Sequence, residues 1–282
     1  MGDADMLVTF HGVRGSTPCH GDDIARYGGN TSCVSVRADG ERPLLFDLGT
    51  GLRYFGNGHP PGEPFQGTCL LSHLHWDHVQ GLPFFTPLQH PDAELVVYAP
   101  GQDGEPTASD VLAATICPPL FPIGLHGFPA QIDIREAPPS FRVGGFEVTS
   151  AAVPHVGHAL GYRVAHGGRS VAYVSDHQQP LSGARIAPGV RELCAGVDLL
   201  IHDAQYTPAE FARKRDWGHC TVEYAVWLAA QVGAVQLALY HHDPCHDDDT
   251  IDRLAAMATE CGRDMGVQVF AAYEGLTVDL AR

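Results

Sequence analysis

Between Leu70 and Phe85 the chain reads LLSHLHWDHVQGLPFF, so three histidines and an aspartate fall within six residues after an apolar run. Polar side chains this dense are costly to pack unless something occupies the space between them. On an extended segment His73 and His75 point the same way, because side chains alternate with period two. The chain then turns, which brings Asp77 and His78 to a neighbouring point. Imidazole and carboxylate together suit zinc, manganese or iron rather than calcium or magnesium.

Further candidate ligands recur later. His155 follows a strand-like run in AVPHVGH, and Asp176 ends another in VAYVSDH. His202 and Asp203 end a third in LLIHDAQ, and His241 and His242 a fourth in LALYHHDP. The C-terminal ends of successive strands are where α/β sheets place their sites. Taken with the opening cluster, these residues point to a site for two metal ions.

The elements that must position them follow an α/β pattern. Strands are expected at 7–10, 33–37, 44–47, 68–71, 94–98, 146–151, 161–165, 170–175, 198–202 and 235–240. Helices are expected at 107–114, at 221–232 with Gly233 as cap, and at 249–261 with Gly262 as cap. Asp247–Asp249 suit that last helix's N-terminus. Residues 116–145 are rich in proline and glycine and read as an ordered insertion or lid within one domain spanning 1–282.

Composition narrows the partners. The 282 residues carry 17 Lys and Arg against 33 Asp and Glu, a net charge of -16 that repels a long polyanion. A small anion held through metal ions remains compatible with that field. No stretch approaches the roughly 20 apolar residues of a membrane span, and MGDADMLVTF lacks the basic and apolar regions of a secretory signal. The eight cysteines show no CxxC pairing and read as free thiols, so a cytoplasmic protein is expected. A homodimer is left open, with 116–145 either covering the site or meeting a second subunit.

HLHWDH resembles the HxHxDH motif of the metallo-β-lactamase superfamily, whose fold is a four-layered αβ/βα sandwich. His155, Asp176 and His241 fall in order where that superfamily places its remaining ligands. The resemblance implies that His73, His75 and His155 hold one ion, that Asp77, His78 and His241 hold a second, and that Asp176 bridges both. It spans FDLGTG at 46–51 to HHDP at 241–244. Asp47 in the first of these is similar to a common structural aspartate that fixes the turn.

Individual residues select a branch of the superfamily. An aspartate at 176 resembles the dinuclear hydrolases rather than the β-lactamases, which carry a cysteine there, and His75 separates the chain from flavodiiron proteins. LLIHDAQYT, GHCTVEYAVWLAA, LALYHHDP and PHVGHALGYRV resemble segments of the tRNA-processing ribonuclease Z branch. VRGSTP and RYGGNTSCV resemble a bacterial subgroup labelled cyclic-nucleotide or cyclic-phosphate phosphodiesterases. Asp203 stands where ribonuclease Z has a glutamate, Asp243 where it has a serine, and there is no basic, Gly-rich arm for tRNA. Those departures and the negative charge point to a small phosphodiester substrate and away from long nucleic acid.

The implied chemistry is hydrolysis by a hydroxide bridging two divalent ions, zinc first, with manganese or iron as alternatives. Asp77 would orient the hydroxide, His219 would protonate the leaving alkoxide, and Asp203 would keep His219 protonated against the positive end of the following helix. His158 and His177 lie beside ligands and could face substrate, whereas His202 reads as a structural hydrogen-bonder. The competing functions are a lactonase or thioesterase on the same scaffold, and a binder that senses a nucleotide without turnover.

Overall fold

Met6–Gly12 (β1) buries every second side chain fully, the pattern of a strand with only one face on a core. In this computed structural model, which describes residues 6–102, 104 and 106–281, β1 is followed by Cys33–Ala38 (β2), Leu44–Phe46 (β3), Gln66–Leu70 (β4), Glu94–Ala99 (β5) and Gln131–Glu136 (β6). The second half supplies Ser140–Val143 (β7), Phe146–Ala152 (β8), Leu160–His166 (β9), Arg169–Val174 (β10), Leu199–Asp203 (β11), Gln236–Tyr240 (β12) and Gln268–Ala271 (β13). Thr277–Asp279 (β14) then returns to pair with β1. Two seven-stranded sheets result, ordered β14-β1-β2-β3-β4-β5-β6 and β13-β12-β11-β10-β9-β8-β7. In each sheet four consecutive strands are parallel, β3 to β6 and β10 to β13.

The helices are Leu52–Asn57 (α1), Trp76–Val79 (α2), Ala108–Thr115 (α3), Pro188–Cys194 (α4), Pro208–Phe211 (α5), Val222–Val232 (α6) and Asp248–Met265 (α7). One core cluster joins the inner faces of both sheets, with Phe46 of β3 stacked on Tyr173 of β10 at 4.6 Å. A second packs α4, α6 and α7 on the outer face of one sheet, and a third packs α1 and α3 on the other. This is the four-layered αβ/βα sandwich that the sequence implied. Each fully buried Val, Leu or Phe in these layers stabilises it by roughly 1.5–3 kcal/mol.

The elements expected from the sequence form with boundaries shifted by a residue or two, apart from two corrections. Helix α7 does not end at Gly262. It starts after Asp247, whose carboxylate accepts from Thr250 N at 2.7 Å, and ends at Gly266 in a left-handed cap. Gly262 lies inside it because a Cβ there would sit 2.3 Å from Val269 Cγ2, so glycine serves close packing onto β13 rather than termination. Asp248 turns away from the helix end to accept from the Arg26 and Tyr27 amides.

The stretch 116–145 is likewise not set apart from the sheets. It contains β6 and β7, the edge strands of the two sheets. Polar residues on their exposed faces, as in QIDIRE, conceal the alternation that marks an interior strand. Strands β13 and β14 are also short sheet-edge strands that the sequence reading did not identify. The start of MGDADMLVTF lies outside the described residues. Among the described residues no helix is long and apolar enough to cross a membrane.

Candidate metal centre

Strand ends from both sheets deliver the polar residues to one edge of the sandwich. His73 and His75 follow β4, and Asp77 and His78 lie in α2, which begins at once because His75 is still extended and serves as its N-cap. His155 follows β8, Asp176 follows β10, Asp203 ends β11 and His241 follows β12. A cavity of about 800 Å³ opens at the opposite ends of the strands, beside Pro43 and Gln66, so size does not mark this site.

Donor atoms converge in two groups. In one, His155 Nε2 is 3.2 Å from His75 Nδ1, and Asp176 Oδ2 is 3.7 Å from both His73 Nε2 and His155 Nε2. In the other, Asp77 Oδ2 is 3.2 Å from both His78 Nε2 and His241 Nε2. Asp176 Oδ1 completes that second group at 3.2 Å from His78 and 3.4 Å from His241. Ligands at about 2.0–2.1 Å around a tetrahedral ion lie roughly 3.3 Å apart, which is the spacing seen here. His73 Nε2, His78 Nε2 and Asp176 Oδ1 are buried without a hydrogen-bond partner, a costly arrangement that an ion would relieve.

Electrostatics divides the two groups. Burial pushes the His73 imidazole well below its usual pKa, reinforced by His78, and burial also lowers His75 and His155. Burial would lower His78 too, but Asp77, Asp176 and Asp47 outweigh it and raise the pKa well above the usual value. Asp176 and Asp77 likewise raise His241 against its burial. Burial would raise both carboxyls, yet the surrounding histidines hold Asp77 and Asp176 below the ordinary carboxylate range.

The far side of each donor is fixed. Asp47 Oδ2 is 2.7 Å from His78 Nδ1 and accepts from Tyr173 Oη and Ser72 Oγ, while Asp47 Oδ1 accepts from the Ser72 amide. Asp47 therefore does more than fix a turn, because it also orients His78. Gln205 Oε1 holds His241 Nδ1 at 2.8 Å, Gly218 O holds His155 Nδ1 at 2.8 Å, and the Ser16 amide donates to Asp77 Oδ2 at 2.8 Å. Buried Arg14 ties the Ser16 loop down by donating to the carbonyls of Gly28, Asp243 and His246. Among the described residues, the three non-glycine positions with positive φ are Ser16, Asp47 and His241, all at this centre, where such strain tends to collect. Sequence reasoning missed Ser16, Gln205 and Gly218 in these roles, and their types carry no spacing signal that could have found them.

His219 Nδ1 lies 2.9 Å from Asp203 Oδ2 and 3.8 Å from Asp176 Oδ2. The Asp203 bond occupies Nδ1 and leaves Nε2 as the nitrogen available to a ligand. Asp203 is wholly buried and also accepts from the His177 and Gln205 amides. His177 is buried rather than facing a substrate, and its Nδ1 meets His202 Nε2 at 2.9 Å. His202 Nδ1 donates to the Asp203 carbonyl at 2.7 Å, and His158 is exposed.

A family model described as a beta-lactamase superfamily domain matches residues 44–242. The ribonuclease Z of Natronomonas pharaonis is 25% identical, with 98% of each chain covered. Among solved structures, the metallo-beta-lactamase fold protein YhfI from Bacillus subtilis matches with a TM-score of 0.73 at 20% identity, over 98% of this chain and 99% of that one. A diphosphatase from the PhnP family matches with a TM-score of 0.69 at 19% identity, over 97% of each.

Proposed function

The chain belongs to the beta-lactamase superfamily, and from that premise we propose that it is a two-metal phosphodiesterase cleaving a small, cyclic phosphodiester such as a cyclic nucleotide. The observation that carries this reading is the His219–Asp203 pair, at 2.9 Å, beside the two donor groups. Thioester hydrolysis releases a stable thiolate and has little need of a held proton donor, whereas a departing alkoxide does.

His73, His75 and His155 would hold one divalent ion, Asp77, His78 and His241 the other, and Asp176 would serve both. Zinc is first among the metals suited to these donors. Ions held there would supply a water of lowered pKa and would draw off charge developing on the phosphoryl oxygens. Asp77, its Oδ2 steadied by the Ser16 amide, orients the attacking water. His219 gives the proton on Nε2 to the leaving oxygen as the P–O bond breaks. Asp203 holds the opposite nitrogen at 2.9 Å and so fixes the orientation of the ring. The N-terminus of α6, capped by Thr221 two residues after His219, adds a favourable field for the phosphate.

The net charge of -16 supports a small substrate over an extended polyanion. The ribonuclease Z name of the Natronomonas relative supports a second reading, cleavage of RNA. In its favour, Arg213, Lys214 and Arg215 stand in a row just before exposed Trp217 and His219. Eight unpaired cysteines support a cytoplasmic setting.

The test is hydrolysis by metal-loaded protein of cyclic nucleotides, bis(p-nitrophenyl) phosphate and a tRNA precursor. Turnover of the first two is expected. Turnover of the precursor alone selects the RNA reading, and turnover of only thioesters or lactones removes both. His219→Ala should cost on the order of 10²–10⁴-fold in kcat with an alkoxide leaving group. That loss should shrink with p-nitrophenolate, which leaves without a proton, and should be nearly absent with a thioester, whose thiolate also leaves unprotonated.

A further inference from the structure

On the side of the second donor group lies a cleft of about 340 Å³, lined by Pro18, Asn30, Thr50, Arg53, Tyr54, Gly81 and Phe84, with the Asn30 amide committed to Glu274. Its volume falls within the roughly 300–1,000 Å³ of small-molecule sites. The cleft shares its backbone with the donors. Leu48 N donates to His78 O and Gly81 N to Leu48 O, both at 2.8 Å, and Pro18 stands two residues after Ser16, whose amide holds Asp77. The Thr50 and Gly81 walls are therefore packed against the backbone that carries Asp77 and His78.

The walls are chemically specific. Tyr54 and Phe84 leave 51% and 58% of their surface exposed, a cost to solvation that an occupant would offset. Phe84 is steadied from behind by Phe121, edge-on at 5.8 Å, so the Pro/Gly-rich stretch buttresses the wall of the cleft. The Thr50 hydroxyl is already spent on the Thr31 amide. Arg53 is exposed and makes no ion pair among the described residues, in a chain with almost twice as many acids as bases. Two aromatic faces and an uncommitted guanidinium suit a planar, carbonyl-bearing heterocycle close to a phosphate.

The geometry points to this cleft as a nucleobase subsite: Tyr54 and Phe84 take the faces of the base of a nucleotide phosphodiester, and Arg53 meets its polar edge or a further phosphate. The inference rests on the phosphodiesterase reading and deepens it, since it assigns the substrate class to nucleotides rather than to phosphodiesters in general.

Two measurements test it. One compares, by calorimetry on metal-loaded protein, the binding of a nucleoside 5′-monophosphate with that of ribose 5-phosphate, which differs only by the base. The other compares kcat/KM for a nucleoside p-nitrophenyl phosphate with that for methyl p-nitrophenyl phosphate. Phe84→Ala and Tyr54→Ala should each lower both ratios about tenfold, as expected for loss of one base stack. Arg53→Gln should lower them less. Val235→Ser, an exposed position just before β12 at the opposite ends of the strands, should leave both ratios unchanged. Unchanged ratios in all three cleft variants overturn the subsite while leaving phosphodiester hydrolysis intact. A change in oligomeric state without a change in the ratios also overturns it, because the cleft then belongs to a second copy of the chain. Absence of phosphodiester turnover in the unsubstituted protein overturns the reading beneath it.

Discussion

The two donor groups are held by different means. His73, His75 and His155 sit at the open side, with His75 exposed and the far nitrogen of His155 bonded to a backbone carbonyl in the loop before α6. Asp77, His78 and His241 are buried, and their partners are Ser16, Asp47 and Gln205, drawn from segments far apart in the chain. One half of the centre thus includes a histidine, His75, that solvent reaches, and the other is buried throughout. An ion in the first should exchange readily, and an ion in the second should be bound up with the stability of the fold.

Asp176 offers the most drastic way to erase that difference, because its two oxygens face the two groups separately. Asp176→Asn should empty both groups and cost about 10³-fold or more in kcat, read by metal analysis and turnover together. Retention of either ion would show that the halves do not depend on a shared carboxylate.

Asp47→Asn separates the halves instead. It weakens the direct bond to His78 Nδ1, whereas it reaches the first group only through Ser72, whose Oγ lies 3.0 Å from His73 Nδ1. Affinity for the second ion should fall about 10–100-fold and that for the first by much less, in a two-site titration. The folded state should also lose roughly 1–3 kcal/mol from the buried partners of Asp47. Equal losses at both sites would contradict the division. In a milder experiment, brief chelation of cobalt-loaded protein should remove one equivalent quickly and the second slowly. A single phase would mean that exposure of His75 has no bearing on exchange.

The smallest effect is a pH dependence of the metal-free protein. Burial lowers the pKa of His73 and His155, so the unfolded chain takes up protons first as pH falls below about 6.5, and stability declines there. The surrounding carboxylates raise His78 and His241, so their contribution is complete below about 6.5 and is lost as pH rises through the raised values. Melting temperature against pH should therefore show two limbs. Metal should flatten the alkaline limb, where the ion replaces the protons.

Much of this centre was legible in the chain. His73, His75, Asp77 and His78 crowd one short stretch, and His155, Asp176 and His241 each follow an apolar run, a local signal that strand ends leave in any α/β protein. The same locality explains the errors. Gly262 reads as a helix stop until Val269 is seen against it, and β6 reads as insertion because an edge strand keeps polar residues on its open face. Asp47 reads as a turn residue because His78 and Tyr173, which it holds, come from elsewhere.

The sequence by itself determined the layered fold and the kind of chemistry, because both rest on residue type and short-range period. The tertiary structure decided how that chemistry is held. It placed the expected Asp203–His219 pair at 2.9 Å, joined Asp47 to His78 and Gln205 to His241, and gathered Arg53, Tyr54 and Phe84 around one cleft. Each of these pairings depends on which strand lies next to which, and burial between two packed sheets then gives it its strength.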